Sequence, residues 1–374
     1  MTDSSTATAR RVLVALSGGV DSSVALYLLK ERGYEVIGAH MKLWDFSEVG
    51  GELKKDGRCC NIESIDDCRA ICDKLGAPFY VLNFVDQFRR EVIENFVAEY
   101  RSGRTPNPCV VCNTRLKWDA FLTRARQLGC DYMATGHYGS IKKNPSTDRL
   151  YVEAGEDSSR DQSYALWGLT QDALARTLLP LGEITKSRVR ELAREYDVRT
   201  AEKPESREIC FVTDDNYRRF LREWEERRGN EFHAGEIVDE SGAPVSSHEG
   251  VEFFTIGQRK GLGVYRPEPT YVKSIEPDTR RITVSDGAGL LEHEIEVSGV
   301  NWMAIEPPPA PLQARVKVRY LHQPAAATVI AEGADSVRVR FDEKQRAMAP
   351  GQSAVFYQDR AVLGGGVIER ICRR

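Results

Sequence analysis

The sequence predicts an α/β protein, a parallel-sheet domain followed by two small β-rich, barrel-like modules. Three observations carry this. Apolar strand runs alternate with amphipathic helix patterns through the first 212 residues. From about residue 235 the pattern changes to short runs with a two-residue period, as in RVKVRY and RVRF. Turn residues then interrupt the chain every few positions. The resulting division is residues 1–212, a central module at 213–289 and a C-terminal module at 290–374. A length of 374 residues suits two or three such units, at about 150 residues each.

In chain order, RVLVAL (11–16) reads as a strand that ends in a Gly-containing turn, and a helix pattern follows to Gly33. VIGAHM (36–41) is the next strand. Ser64 and Asp67 have capping-box spacing ahead of a helix whose Ile65, Cys68, Ile71, Cys72 and Leu75 share one apolar face. That pattern makes Cys68 and Cys72 core residues. FYVLNF (79–84), helices over 87–101 and 114–128, the strand YMATGH (132–137) and a helix over 186–196 continue the alternation. Right-handed crossovers would then give a parallel sheet covered on both faces.

Composition excludes several classes. Hydrophobic residues are 41% and charged residues 29%, with a net charge of −4. No run approaches the roughly 18 apolar residues of a membrane span, and the first ten residues carry no apolar signal core. A cytoplasmic protein with no membrane partner is expected. Nine cysteines, an odd number, argue against a disulfide scaffold. Residues 301–374 carry net +4 while residues 1–300 carry −8, which points to an anionic partner near the C-terminal end.

Two segments look chemical. SGGVDSS (17–23) lies between strand and helix. Its glycines permit a sharp turn that brings N–H groups close to an anion, and the helix start adds its positive dipole end. The Walker A lysine is missing, so the site suits a pyrophosphate rather than γ-phosphate transfer. The string looks like the PP-loop of the ATP pyrophosphatases, which have an adenine nucleotide alpha hydrolase-like fold and cleave ATP between its α and β phosphates. The second segment is TPNPCVVCN (105–113), where prolines predict an irregular loop and Asn113 would cap the next helix. A thiol at that edge would be biased toward thiolate. Cys210 sits in a second Pro-flanked loop, KPESREIC. A four-cysteine zinc site wants a second close pair, which Cys210 alone does not supply.

The PP-loop, the NPxxxCN loop and the distant ICF cysteine together resemble the tRNA-specific 2-thiouridylases. The likeness spans nearly the whole chain and includes ATGHY (134–138), RDQSY (160–164), FTIGQRKGL (254–262), VRYLHQP (318–324) and APGQSAVFY (349–357). It implies ATP-dependent replacement of the C2 oxygen of the wobble uridine, position 34, by sulfur in tRNAs for Lys, Glu and Gln. Carried over by position, Ala15, Leu16, Ser17, Gly18, Gly19, Val20, Asp21 and Ser22 would cradle ATP with Mg²⁺, and Met41 and Gly136 would complete the pocket. Asn107, Pro108 and Cys109 would touch the target base. Cys112 would be the nucleophile, and Cys210 would carry a persulfide received from a sulfur-donating persulfide protein or a cysteine desulfurase. His137, Arg160, Asp161, Gln162, Arg319, Tyr320 and Gln352 would contact the anticodon stem-loop. The first domain would be catalytic, the central one an adaptor and the last a tRNA-binding barrel.

One position departs from the family. Cys109 stands where many members have Asp. Two sulfur routes follow: a persulfide on Cys210 released by Cys112, or a [4Fe–4S] cluster held by Cys109, Cys112 and Cys210. Cys59–Cys60, Cys130 and Cys372 are read as structural. Two other functions compete, a different PP-loop synthetase or a non-catalytic tRNA-binding protein. The paired loop cysteines argue against the first, and the intact phosphate loop argues against the second.

Overall fold

A computed structural model describes residues 10–51, 62–203, 209–333 and 335–373. The Cys59–Cys60 pair, part of the KPESREIC loop and the first nine residues lie outside the described residues.

The first seven strands are β1 (Arg11–Leu16), β2 (Glu35–Lys42), β3 (Phe79–Asn83), β4 (Tyr132–Ala134), β5 (Gly139–Lys143), β6 (Leu150–Ala154) and β7 (Thr177–Leu178). Five of them form a parallel sheet in the order β3-β2-β1-β4-β7. The buried run of β1 explains its central place, because a strand covered on both faces needs continuous apolar side chains. Helices α1 (Val20–Glu31), α2 (Ile62–Lys74), α3, the continuous run Pro108–Val111, Cys112–Phe121 and Leu122–Gln127, and α4 (Lys186–Glu195) connect and cover it. This bears out the α/β reading. Cys68 and Cys72 are core residues, and burial pushes the Cys72 thiol up to about 12.

Helix α2 is described from Ile62, so Ser64 lies inside it rather than capping it. Ser64 is instead the surface against which Gly18 packs, and a Cβ on Gly18 would come within 2.8 Å of Ser64 backbone atoms.

Strands β8 (Gly235–Val238), β9 (Pro244–His248), β10 (Tyr271–Glu276) and β11 (Arg281–Ser285) make a separate sheet ordered β10-β11-β8-β9. The last six strands are β12 (Leu291–Trp302), β13 (Leu312–Lys317), β14 (Ala325–Ala331), β15 (Val337–Arg346), β16 (Ser353–Gln358) and β17 (Ala361–Ile371). They run β12-β15-β14-β13-β16-β17 and close through β12–β17 pairing, so this barrel has no free edge. The hairpin β5–β6 joins the barrel sheet at β17 although in sequence it belongs to the α/β region. Arg149 fixes it there, donating to the carbonyls of Met303 at 3.0 Å and Trp302 at 2.7 Å.

An aromatic cluster binds the segment after Cys210 to helix α5 (Tyr217–Glu226). Phe211 is fully buried, with its ring 5.7 Å from Phe88, 5.2 Å from Phe96 and 5.2 Å from Phe220. Phe211→Ala removes the centre of that cluster and should cost about 3–5 kcal/mol in a denaturant melt. A loss below about 1 kcal/mol would mean the cluster collapses around the gap.

Candidate active site

The phosphate loop sits at the carboxyl end of β1, where the strand order departs to β2 on one side and β4 on the other. Open α/β sheets bind ligands at that switch point. Gly19 is the residue before α1, and Gly18 has φ +72°, a conformation that favours glycine. Hydroxyls stiffen the turn. Ser17 N donates to Ser22 Oγ at 3.2 Å, and Ser22 Oγ and Ser23 Oγ donate to Gly19 O at 3.2 and 3.0 Å. Gly136, just past β4, closes the cradle, since a Cβ there would lie 2.8 Å from Ser22 N. Met41 ends the neighbouring strand β2 and is buried against the same sheet as Ala15. The twelve-residue α1 turns its amino end to this space, so the residues fit a polyphosphate.

Sequence reading missed the cations around this loop. Lys186, buried at the start of α4, donates to both carboxylate oxygens of Asp21 at 2.7 and 2.8 Å. Tyr138 also donates to Asp21 at 2.7 Å. Lys203 reaches Gly18 O at 3.3 Å and Asp67 at 3.2 Å. No local pattern marks these lysines, because their partners are far away in sequence.

From Gly136 the site continues into α3. His137 lies between Thr135 Oγ1, 2.7 Å from its Nδ1, and Lys117 Nζ, 3.5 Å from its Nε2. A neutral ring with its proton on Nδ1 satisfies both contacts. Burial, and then the Lys117 charge, hold His137 well below the ordinary histidine range. Lys117 Nζ also donates to Asn113 Oδ1 at 2.9 Å. The same ammonium acts on Cys109, pulling its thiol down against a larger upward push from the surrounding protein. Cys109 is exposed on the surface of α3.

The cysteine segment differs from the loop expected. Asn107, not Asn113, caps α3, its Oδ1 accepting from Val110 N at 3.5 Å with Pro108 at the first helical position. Cys109 and Cys112 therefore lie on the first turns of a helix. Asn113 is buried inside α3 and donates to Ala165 O at 2.8 Å. The prolines start the helix rather than prevent it. At Cys109 desolvation raises the thiol and outweighs the lowering by Lys117. Cys112 is buried in the core cluster against which the half-buried Cys210 packs. Among the described residues, no three His, Cys, Asp or Glu side chains converge as metal ligands. Cys109, Cys112 and Cys210 therefore do not fit a cluster-binding set in this conformation. Cys130 is buried, with its thiol pushed up to about 11 by burial.

Of the residues expected to meet RNA, Gln352 touches the segment before Cys109, and Tyr320 and Arg319 lie on the barrel with Lys317, a cation not expected there. Lys317 lies over the rings of Tyr164 and Tyr320 at 5.7 and 5.5 Å. Arg319 donates to Ile256 O at 3.0 Å. Burial lowers the pKa of both cations, an effect that Asp161 opposes at Lys317 and Tyr164 at Arg319. Tyr320 is 43% exposed and Leu321 88%, so apolar surface faces outward next to the cations. Three of the polar residues are committed to backbone. Asp161 accepts from Gly155 N and Ser163 N, both at 3.0 Å, and Gln162 Oε1 accepts from Tyr138 N at 3.0 Å. Gln352 donates to two carbonyls of the cysteine segment. Arg160 is half-buried on the same turn.

Burial lowers the pKa of four histidines, His40, His137, His248 and His322, with the cations Arg319 and Lys317 adding to the effect at His322. Each binds a proton more weakly folded than unfolded. As pH falls below about 6.5 the unfolded chain takes up the extra protons, so stability is present above that pH and lost below it. The melting temperature should fall between pH 7.5 and 5.5, and His137→Asn should flatten the slope. An unchanged slope would show that His137 protonates freely in the folded chain.

The chain matches three family models: a tRNA methyl transferase HUP domain over residues 10–214, a tRNA methyl transferase PRC-barrel domain over 225–286 and an aminomethyltransferase β-barrel domain over 292–368. It is 47% identical to the tRNA-specific 2-thiouridylase MnmA of Carboxydothermus hydrogenoformans, covering 96% of this chain and 98% of that protein. It is 44% identical to the protein of the same name from Clostridioides difficile, again covering 96% and 98%. Among solved structures, a 4-thiouridine synthetase in complex with RNA and ATP matches 57% of this chain and 50% of that one at 16% identity, with a TM-score of 0.34, too low to build on. With near-complete coverage at these identities, the chain belongs to the tRNA-specific 2-thiouridylase family.

Proposed function

We propose that this enzyme converts the wobble uridine, position 34, of the tRNAs for Lys, Glu and Gln to 2-thiouridine, using ATP with Mg²⁺ and a persulfide on Cys210. The observation that carries the reading is continuity. A chain of contacts runs from the phosphate loop through Gly136 and His137 to Lys117 and Cys109, and Cys112 lies in the large core cluster against which Cys210 packs. A family model names methyl transfer and the relatives name thiolation. Two cysteines at the start of α3 and the full-length identity to thiouridylases favour sulfur.

ATP supplies adenylation of the C2 oxygen, which turns a poor leaving group into AMP. The chain's residues do the rest. N–H groups of the phosphate loop and the start of α1 receive the departing pyrophosphate. Asn107, Pro108 and Cys109 hold the unstacked base. Lys117, next to a neutral His137, offers a positive charge where negative charge develops on the base. The Cys112 thiolate attacks Sγ of Cys210, forming a Cys112–Cys210 disulfide and releasing hydrosulfide. Hydrosulfide attacks C2, AMP leaves, and an external thiol reduces the disulfide. A persulfide-carrying protein or a cysteine desulfurase recharges Cys210. Cys109 takes the place of the usual Asp as a base contact. The cluster route is disfavoured by the absence of a converging ligand set.

We further divide the labour between residues 1–212 for catalysis, 213–289 as adaptor and 290–374 for the anticodon stem-loop. The cations Lys317 and Arg319 with Tyr320 support the last assignment, together with the net charge of +4 over residues 301–374. No helix among the described residues is long and apolar enough to cross a membrane, which suits a cytoplasmic site of action.

The test is anaerobic incubation with unmodified glutamate tRNA, ATP–Mg²⁺ and a sulfide source, followed by a mercury-containing gel that retards thiolated RNA. A retarded band that requires ATP is expected. If neither a band nor pyrophosphate release appears on adding tRNA, the enzymatic reading fails.

A further inference from the structure

The barrel turn before β16 grips the segment that leads into Cys109. Thr105 N donates to Pro350 O at 2.8 Å. Gln352 Nε2 donates to Thr105 O at 3.2 Å and to Pro106 O at 2.9 Å. Between them Gly351, at φ +88°, presses so closely that a Cβ would lie 2.7 Å from Thr105 O and 2.6 Å from Glu99 Oε2. Next in sequence, Ser353 braces the other flank. Its carbonyl accepts from the Tyr164 hydroxyl at 3.0 Å and its Oγ from Trp167 Nε1 at 2.9 Å. The Tyr164 hydroxyl in turn meets the Asn107 side chain.

The chemistry of this contact is specific. Prolines 106 and 108 have no N–H and fixed φ, so the freedom left in the segment is the tilt of its peptide planes. A carboxamide has two N–H donors, and the Gln352 amide nitrogen places them on two successive carbonyls. The backbone of Gln352 is itself pinned, since Ile368 N donates to its carbonyl at 2.8 Å. A side chain anchored in the barrel therefore sets the entry geometry of the helix that presents Cys109 and Cys112.

We infer that Gln352 is a positioning residue that shapes the base-facing segment Thr105–Cys109, so that the RNA-binding barrel and the base pocket are mechanically one unit. This rests on the reading that the segment receives the target base. A residue that only touched RNA would alter binding; a positioning residue alters turnover and the state of the RNA-free site.

The full-length protein with Gln352→Ala tests it. Affinity for unmodified glutamate tRNA, by filter binding, should stay within about twofold, while turnover at saturating tRNA falls about 30-fold, the weight of two hydrogen bonds that hold reacting groups in place. Without RNA, alkylation of Cys109 by iodoacetamide, followed by mass spectrometry, should change about fivefold. Gly351→Ala keeps the carboxamide but crowds Thr105 O, and should reproduce the fall in turnover. The inference is overturned if Gln352→Ala weakens tRNA binding more than about tenfold, recovers full turnover at saturation and leaves Cys109 alkylation unchanged. If the wild-type protein does not thiolate tRNA at all, the functional reading fails separately. The alkylation rates then decide the inference, a change supporting it and no change overturning it.

Discussion

Cys112→Ser should abolish thiolation, by on the order of 1,000-fold or more, while leaving ATP-dependent pyrophosphate release on tRNA addition intact. The substitution replaces sulfur by oxygen in a side chain that is 9% exposed within the main core cluster, so packing is nearly conserved. On the proposed route a hydroxyl cannot displace hydrosulfide from a Cys210 persulfide, because its pKa is far too high for it to be an anion in this site. The phosphate cradle is built from Ser17, Ser22, Ser23 and Gly136 and is untouched. Mercury-gel retardation and pyrophosphate release, measured on one sample, separate the two half-reactions. Thiolated tRNA formed at the wild-type rate by Cys112→Ser would remove Cys112 from the chemistry.

A large electrostatic effect on stability is expected at Lys186. Its side chain is 9% exposed and holds both oxygens of Asp21, which is 31% exposed, at the first turn of α1. Lys186→Met leaves that carboxylate without its main cation in a largely dry site. Breaking a buried pair costs several kcal/mol, and the partial exposure of Asp21 places this one at the lower end, about 3 kcal/mol. For the α/β domain, matched over residues 10–214, that is a fall of roughly 6–12 °C in the melting temperature of its transition. Adding Asp21→Asn should restore most of the loss, since no orphaned charge remains. Equal melting temperatures for Lys186→Met and wild type would show that the pair is structurally idle.

What could be read from the sequence was what is encoded locally. Strand, glycine turn and helix follow one another within residues 11–31, and each is dictated by near neighbours. The same holds for the apolar face that buries Cys68 and Cys72. The cap of α3 was misplaced from Asn107 to Asn113, because Asn–Pro reads equally as a turn and as a helix start. What decided it lies outside the segment, in the barrel contacts to Thr105 and Pro106. Asp161 and Gln162 likewise look like RNA ligands in RDQSY, yet their side chains hold backbone. Lys117, Lys186 and Lys203 were illegible for a related reason: charge in a sequence is ordinary until a fold brings it to a carboxylate, an imidazole or a loop carbonyl.

The hairpin β5–β6 has a consequence for how the chain is made. Its barrel partner Arg360 donates to Ala154 O across 206 residues, so the hairpin leaves the ribosome long before the strand it joins. At about 5–20 residues per second, the wait is roughly 10–40 s. During that time the parallel sheet can be complete while β6 presents an unpaired rim. Lys142 and Lys143 charge the hairpin's other strand, β5, and discourage pairing of that edge with another nascent chain. Synthesis therefore passes through a stage in which the phosphate loop exists before the barrel turn that grips Thr105 and Pro106, and the last two dozen residues translated, with β16 and β17, complete that contact.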